Sequence, residues 1–218
     1  MKLSLTPQFA RHLLAIGAAT LLAGAVHATP DAQFEPAFQQ FQQASRGNES
    51  AIEKSADAFG TLLKSEPTNP VLMAYTGAAT SMKATTTWLP WKKMSYAEDG
   101  LAMLDKALAL LTPAHDAVLQ RNLPAALEVK FVAANTFLAV PGFMNRGARG
   151  TKLLGEVLAS PMFATSPLAF RGDVWLASAE QALKDKRRDD ARKLLDAVIK
   201  ANAPQAEVAR AQLKAIAS

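Results

Sequence analysis

Four segments of the chain share one layout: an apolar stripe at three- and four-residue steps, closed by a proline. In AIEKSADAFGTLLKSEPTNP (51–70) the stripe is Ile52, Ala56, Phe59, Leu62 and Leu63, and the stop is Glu66-Pro67-Thr68-Asn69-Pro70. SYAEDGLAMLDKALALLTPAHD (95–116) ends at Pro113, RGARGTKLLGEVLASP (146–161) at Pro161, and RRDDARKLLDAVIKANAP (187–204) at Pro204. Such steps place side chains on one helix face. A proline has no amide donor and disfavours helix in the residue before it, so each segment ends firmly. The matching core positions, Phe59, Leu104, Leu154 and Leu195, stand 45, 50 and 41 residues apart.

Between these segments lie others rich in alanine and leucine: PVLMAYTGAATSMKATT, LPAALEVKFVAANTFLAV and PLAFRGDVWLASAEQALKDKR. The pattern is an alternation of a helix A and a helix B, repeated about four times. It predicts an all-α fold of stacked helical hairpins, an α-solenoid, in a single domain over residues 29–218. Pro30-Asp31 marks a helix start with Asp31 as its cap, and Ser45–Ser50 is a polar turn. AEVARAQLKAIAS finishes the chain as a short amphipathic helix that covers the last pair, as terminal repeats require.

ADAFGTLLKSEPTNP and RRDDARKLLDAVIKANAP resemble the second helix of a tetratricopeptide (TPR) repeat with its P-x-N-P-type ending. QALKDKRRDDARKLLDAVIKANAP also resembles the turn between that repeat's two helices. The resemblance implies small residues where helices cross, and Ala58 and Ala191 match those places. The period here is 41 to 50 rather than 34, and helix A lacks the family's Trp, Leu-Gly and Tyr pattern. Residues 85–165 instead resemble exported bacterial TPR-like proteins with a W-x-P-x-K-K segment, a likeness that implies no particular activity. The expected fold is therefore a degenerate TPR-like solenoid.

Residues 1–28 have the layout of a secretory signal peptide. MKLSLTPQFARH carries Lys2 and Arg11 and no acid, Leu13–Val26 is an apolar run of 14, and Val26-His27-Ala28 offers a cleavage site. At 1.5 Å per residue the run reaches about 21 Å, short of a bilayer core of roughly 30 Å. The sequence thus predicts export with cleavage near Ala28, to the periplasm or cell envelope, and no stable membrane span afterwards. The chain has no cysteine, which excludes disulfides, thiol catalysis, cysteine-ligated zinc and a lipidated N-terminal cysteine.

About 190 residues remain, enough for one domain with a real core. Without Lys2 and Arg11 the 24 basic residues fall to 22 against 19 acidic ones, a net charge of about +3. That is mild, and with export it argues against nucleic acid as a partner.

Two stretches stand out as candidate sites. WLPWKKMSY (88–96) gathers two of the three tryptophans around Pro90, followed by Lys92 and Lys93 and a fresh helix from about Ser95. Either the rings fill a corner where two helices diverge, or they form an aromatic shelf for a peptide or an anionic group. VPGFMNRGARG (140–150) reads as a loop before a helix from about Thr151. Arg146 and Arg149 there suit an anion as well as a plain linker. Phe143 and Met144 are placed to pack on the tryptophans, which would bring both stretches to one surface. The candidate partner-binding residues are Trp88, Trp91, Lys92, Lys93, Tyr96, Phe143, Arg146 and Arg149.

Catalytic, metal and cofactor sites are not expected. His115, in the TPAHD turn, is the one histidine after the leader and reads as a helix cap or a solvent-facing residue. Glu98-Asp99 and Asp189-Asp190 read as acids at helix starts, and Lys184–Arg188 as a solvated basic turn. Ser95, Ser166 and Ser178 lack a G-x-S-x-G setting. The expected function is a non-enzymatic protein-binding or scaffolding module for another envelope protein or an extended peptide. The alternative is a small-molecule or peptide binding protein with an aromatic and basic pocket between helices, lined by Trp88, Trp91 and Phe143 with an arginine or lysine to fix an acid group.

Overall fold

The computed structural model describes residues 28–217; the predicted leader and its apolar run lie outside the described residues. Nine α-helices follow among them: α1 (Asp31–Ser45), α2 (Glu49–Ser65), α3 (Pro70–Met82), α4 (Pro90–Ala109), α5 (Ala125–Ala139), α6 (Gly147–Ala159), α7 (Leu168–Lys184), α8 (Arg188–Lys200) and α9 (Ala206–Ala217). The one sheet described is a two-stranded hairpin, β1 (Leu119–Gln120) with β2 (Leu123–Pro124). No described helix is long and apolar enough to cross a membrane.

The helices pair as the proline stops dictate. α1 packs on α2, α3 on α4, α5 on α6 and α7 on α8, while α2 also lies along α3 and α9 against α8. The all-α expectation and the four A–B pairs both hold. Phe59, Leu104, Leu154 and Leu195, the four equivalent stripe positions, are buried at 0, 0, 3 and 0% exposure. α8 shows the rule in its simplest form, with Ala191, Leu195 and Val198 buried and acids and bases on its other face.

α3 and α5 depart from it. Eleven consecutive-to-near-consecutive residues of α3 are buried, from Pro70 through Ala79 and again at Ser81, so that helix has no wet face. α5 is buried all round over Ala125–Val129 and again from Val132 to Ala134. Both sit between layers, because α1 and the hairpin excursion cover the side that an open repeat array would expose. The α3–α4 crossing is unusually close. A Cβ on Gly77 would lie 2.7 Å from the Gly100 carbonyl oxygen, and one on Gly100 would strike Ser81 Oγ. The small residues at this crossing are thus glycines, while Ala191 is buried at its own crossing and Ala58 only half-buried.

An aromatic knot anchors the N-terminal end. Tyr75 stacks on Phe59 at 4.7 Å and 11°, and Phe34 meets both rings edge-on at 5.5 and 5.4 Å. At the other end α9 closes the stack with Ala206 and Ala209 buried and Leu213 on the α7–α8 core. This is the covering role expected of the final segment.

Several boundaries differ from expectation. Pro30 occupies the cap position of α1 with no side-chain cap, and Asp31 is the first helical residue. The Asp31 carboxylate instead accepts a hydrogen bond from Gln120 Nε2 at 3.1 Å. α4 begins at Pro90 rather than near Ser95, since proline's fixed φ suits the first helical position, where no donor is needed. Glu98 and Asp99 consequently fall inside α4 and not at its start. α6 begins at Gly147 rather than near Thr151, its first turn closed by the Gly150 amide on the Arg146 carbonyl at 3.0 Å.

Candidate functional site

The tryptophan segment is a projecting helix end, not an irregular corner. Leu89 caps α4, and the Lys93 amide donates to the Leu89 carbonyl at 3.0 Å to close the first turn. The buried face of α4 starts only at Ala97, continuing through Gly100, Leu101, Leu104 and Ala107. The seven residues Pro90–Tyr96, about 10 Å of helix, therefore precede its buried face and lie alongside the 3-10 turn Lys83–Thr85 with their side chains largely exposed. Trp88, in the approach to the cap, is 82% exposed, and Trp91, in the first turn, is 66% exposed. Met94, three residues on from Trp91 and so on the same face, is at the edge of exposure, and Lys92 and Lys93 are exposed beside it.

Trp175 shows what a packing tryptophan looks like in this chain. It is half-buried, with Phe163 edge-on at 5.6 Å and the Arg171 guanidinium 5.6 Å from its ring. Among the described residues Trp88 and Trp91 have neither kind of ring contact. Tyr96 differs from them too: it is half-buried, with Lys83 Nζ 5.1 Å from its ring centroid, and marks where the projecting end meets the core.

The second stretch is built differently. Asp105 on α4 takes both arginines, from Arg146 Nη2 at 2.9 Å and from Arg149 Nη1. The two guanidiniums lie 5.4 and 5.2 Å from the Phe137 ring on α5. One acid and one ring thus clamp the start of α6 to α4 and α5, leaving a net charge of one on the cluster. Met144 packs on the main core, and Phe143 is 67% exposed without ring contact to either tryptophan. The expected packing of Phe143 and Met144 on the tryptophans is therefore not found. Asp105 lies about 14 residues beyond Trp91, roughly 21 Å along α4, so the arginine clamp and the tryptophan end are separate features.

A third cluster was not anticipated from the sequence. Glu128 on α5 is 1% exposed; its Oε1 accepts from Tyr75 Oη at 2.7 Å and from Arg121 Nη2 at 2.6 Å. Arg121 sits in the hairpin turn with φ of 52°, next to Asn122 at 61°, the left-handed pair of a type I′ turn. Its guanidinium lies 3.5 Å from the Phe38 ring centroid, closing the aromatic knot from outside. Burial pushes the Glu128 carboxyl up, against the pull of Arg121, and raises the Tyr75 phenol well above its ordinary value, with Glu128 adding to it. Among the described residues Glu128 Oε2 and Arg121 Nε have no partner, so the cluster is a buried ion pair with part of its hydrogen-bonding capacity unused there. The sequence signal was a lone glutamate in an otherwise apolar turn of helix, AALEV.

His115 is buried and caps a short 3-10 turn (Pro113–Asp116): its Nδ1 accepts from the Thr112 amide at 3.0 Å. Arg187, in the basic turn, pairs with Asp185 and Asp190 at 3.0 and 2.9 Å. Among the described residues no three His, Cys, Asp or Glu side chains group as metal ligands would. Two shallow clefts of about 500 and 490 Å³ flank the stack, one at Lys130, Glu156 and Met162, the other between Ala28, the α2–α3 turn and Gln120. Neither is lined by Trp88, Trp91 or Phe143. Comparison with protein-family models, curated proteins and solved structures finds no match for the chain.

Proposed function

We propose that the chain is a non-enzymatic, TPR-like binding module of the cell envelope that engages another protein through the projecting end of α4. The observation that carries this reading is the exposure of Trp88 and Trp91, at 82 and 66%, on a helix end that no part of the core covers. Two such rings present on the order of 300 Å² of largely apolar surface, the scale at which exposed patches mark interaction sites. Covering it gains roughly 7 kcal/mol before the entropy of association is subtracted, enough for a useful anchor. Trp is also the residue type that most often dominates a protein interface. Lys92 and Lys93 add a positive rim and favour an acidic partner surface.

The inner side of α3 and α5 is occupied by α1 and the hairpin, which shifts this reading from a peptide in a concave groove to a partner on the edge. An exposed helix end, lining neither cleft, also favours a protein partner with its own pocket over a small molecule needing an enclosed cavity.

The absence of cysteine allows a direct test. A photo-cross-linker is attached at Lys92→Cys and, as control, at Val208→Cys on the exposed face of α9. The expected result is a discrete envelope protein cross-linked from position 92 alone. Equal, diffuse labelling from both positions overturns the reading.

A further inference from the structure

The first described residues are held more firmly than a chain end requires. Thr29 is 2% exposed. Its hydroxyl donates to Glu66 Oε1 at 3.0 Å and accepts from Asn69 Nδ2 at 3.3 Å, while Asn69 also donates to Glu66 Oε2 at 2.8 Å. Its carbonyl accepts from Gln120 Nε2 at 2.9 Å, and Gln120 is itself 1% exposed. Two separated parts of the chain, the α2–α3 turn and the β-hairpin, thus converge on one residue just before α1. That residue follows Ala28, the position at which the leader pattern predicts cleavage.

We propose that the Ala28–Thr29 bond is the processing site and that the fold carries a receptor for the N-terminus this cut creates. This rests on the export reading. Hydrolysis by the membrane peptidase adds one water across the bond: Ala28 leaves as a carboxylate, and the Thr29 nitrogen becomes an ammonium. That nitrogen is on the carbon next to the one bearing the hydroxyl, so it forms within reach of the Glu66 carboxylate. The counter-charge is needed there. The ammonium lies two residues before α1 and close to the start of α3, and the positive ends of both helix dipoles oppose it. Glu66 supplies the negative charge.

The geometry also sets an order of events. A peptidase binds several extended residues around the bond it cuts, and in the folded body Thr29 is enclosed and its carbonyl engaged. Cutting therefore precedes the docking of residues 29–31, and docking then hides the new end from aminopeptidases.

The test starts with the full chain expressed in a bacterium. The intact mass of the product is expected to begin at Thr29. An uncut product overturns both this proposal and the export reading, whereas a cut at another bond overturns the receptor alone and leaves export standing. Glu66→Gln is then compared in the cut product and in an uncut chain carrying Ala28→Arg, whose bulk before the bond blocks the peptidase. The loss in denaturation midpoint is expected to be larger in the cut chain, because only there does Glu66 face an ammonium; equal losses overturn the receptor. Amine-selective acylation at neutral pH gives a readout independent of stability. Thr29 of the folded product is expected to react about tenfold more slowly than in Glu66→Gln, the effect of one unit in amine pKa, and equal rates overturn the pairing.

Discussion

At the scale of single residues, the charged groups sort by burial into structural and superficial. Glu128 is enclosed with Tyr75 and Arg121, so removing it leaves a cation facing aromatic rings without a partner. Glu128→Ala is expected to destabilise the fold by about 3–5 kcal/mol in urea titration. Arg149→Ala, losing a half-exposed partner of Asp105 while Arg146 keeps its own, is expected to lose about 1 kcal/mol or less. Tyr75 supplies a pH signature. Its phenol is raised in the folded chain above the ordinary value of 10.0, so the folded state keeps the proton while the unfolded chain gives it up. The stability tied to that proton is complete below pH 10 and falls as pH rises beyond it. Urea titrations at pH 9 and pH 11 are therefore expected to show the advantage of the wild type over Tyr75→Phe shrinking at the higher pH.

At the scale of elements, the two kinds of helix glycine are expected to respond oppositely. Gly100 touches α3 so closely that Gly100→Ala must push Ser81 and the Gly77 backbone aside, a loss of about 1–3 kcal/mol. Gly60, in α2, has open space where a methyl group would go, and Gly60→Ala is expected to gain up to about 1 kcal/mol through helix propensity. Thermal melts of both variants measure the contrast. The elements themselves were largely readable in the sequence. Stripes of period 3.6 and proline stops are local properties, and they located α2, the core-bearing part of α4, α6, α8 and α9. The helix starts were less so: Pro90 reads equally as a breaker or as a first residue, and the choice depends on what caps it. The β-hairpin escaped because its turn is Arg121-Asn122, without the glycine that signals a type I′ turn.

At the scale of the whole molecule, what sequence could not provide was coverage. Burial of α3 and α5 on every side follows from α1 and the hairpin folding over them, a pairing between segments up to 91 residues apart, as in the bond from Gln120 to Thr29. The same reasoning applies to the candidate site. WLPWKKMSY was recognisable as unusual, yet whether its rings pack or project depends on how far α4 runs past the end of α3, a matter of relative helix lengths. Arg146 and Arg149 looked like an anion site until Asp105, some 40 residues earlier, closed on them. The helical pairs that result bury their apolar stripes, with α9 packed on α8, and among the described residues they leave the rings of Trp88, Trp91 and Phe143 exposed.

The most direct test is a Trp88→Ala, Trp91→Ala double variant of the chain, measured for melting and for cross-linking from position 92. Because both rings stand outside the core, melting is expected to stay within the range of an ordinary surface change, about 0.5 kcal/mol, while the cross-linked partner is lost. A loss of several kcal/mol, or a partner still captured at full yield, would show instead that the rings serve packing and that binding lies elsewhere.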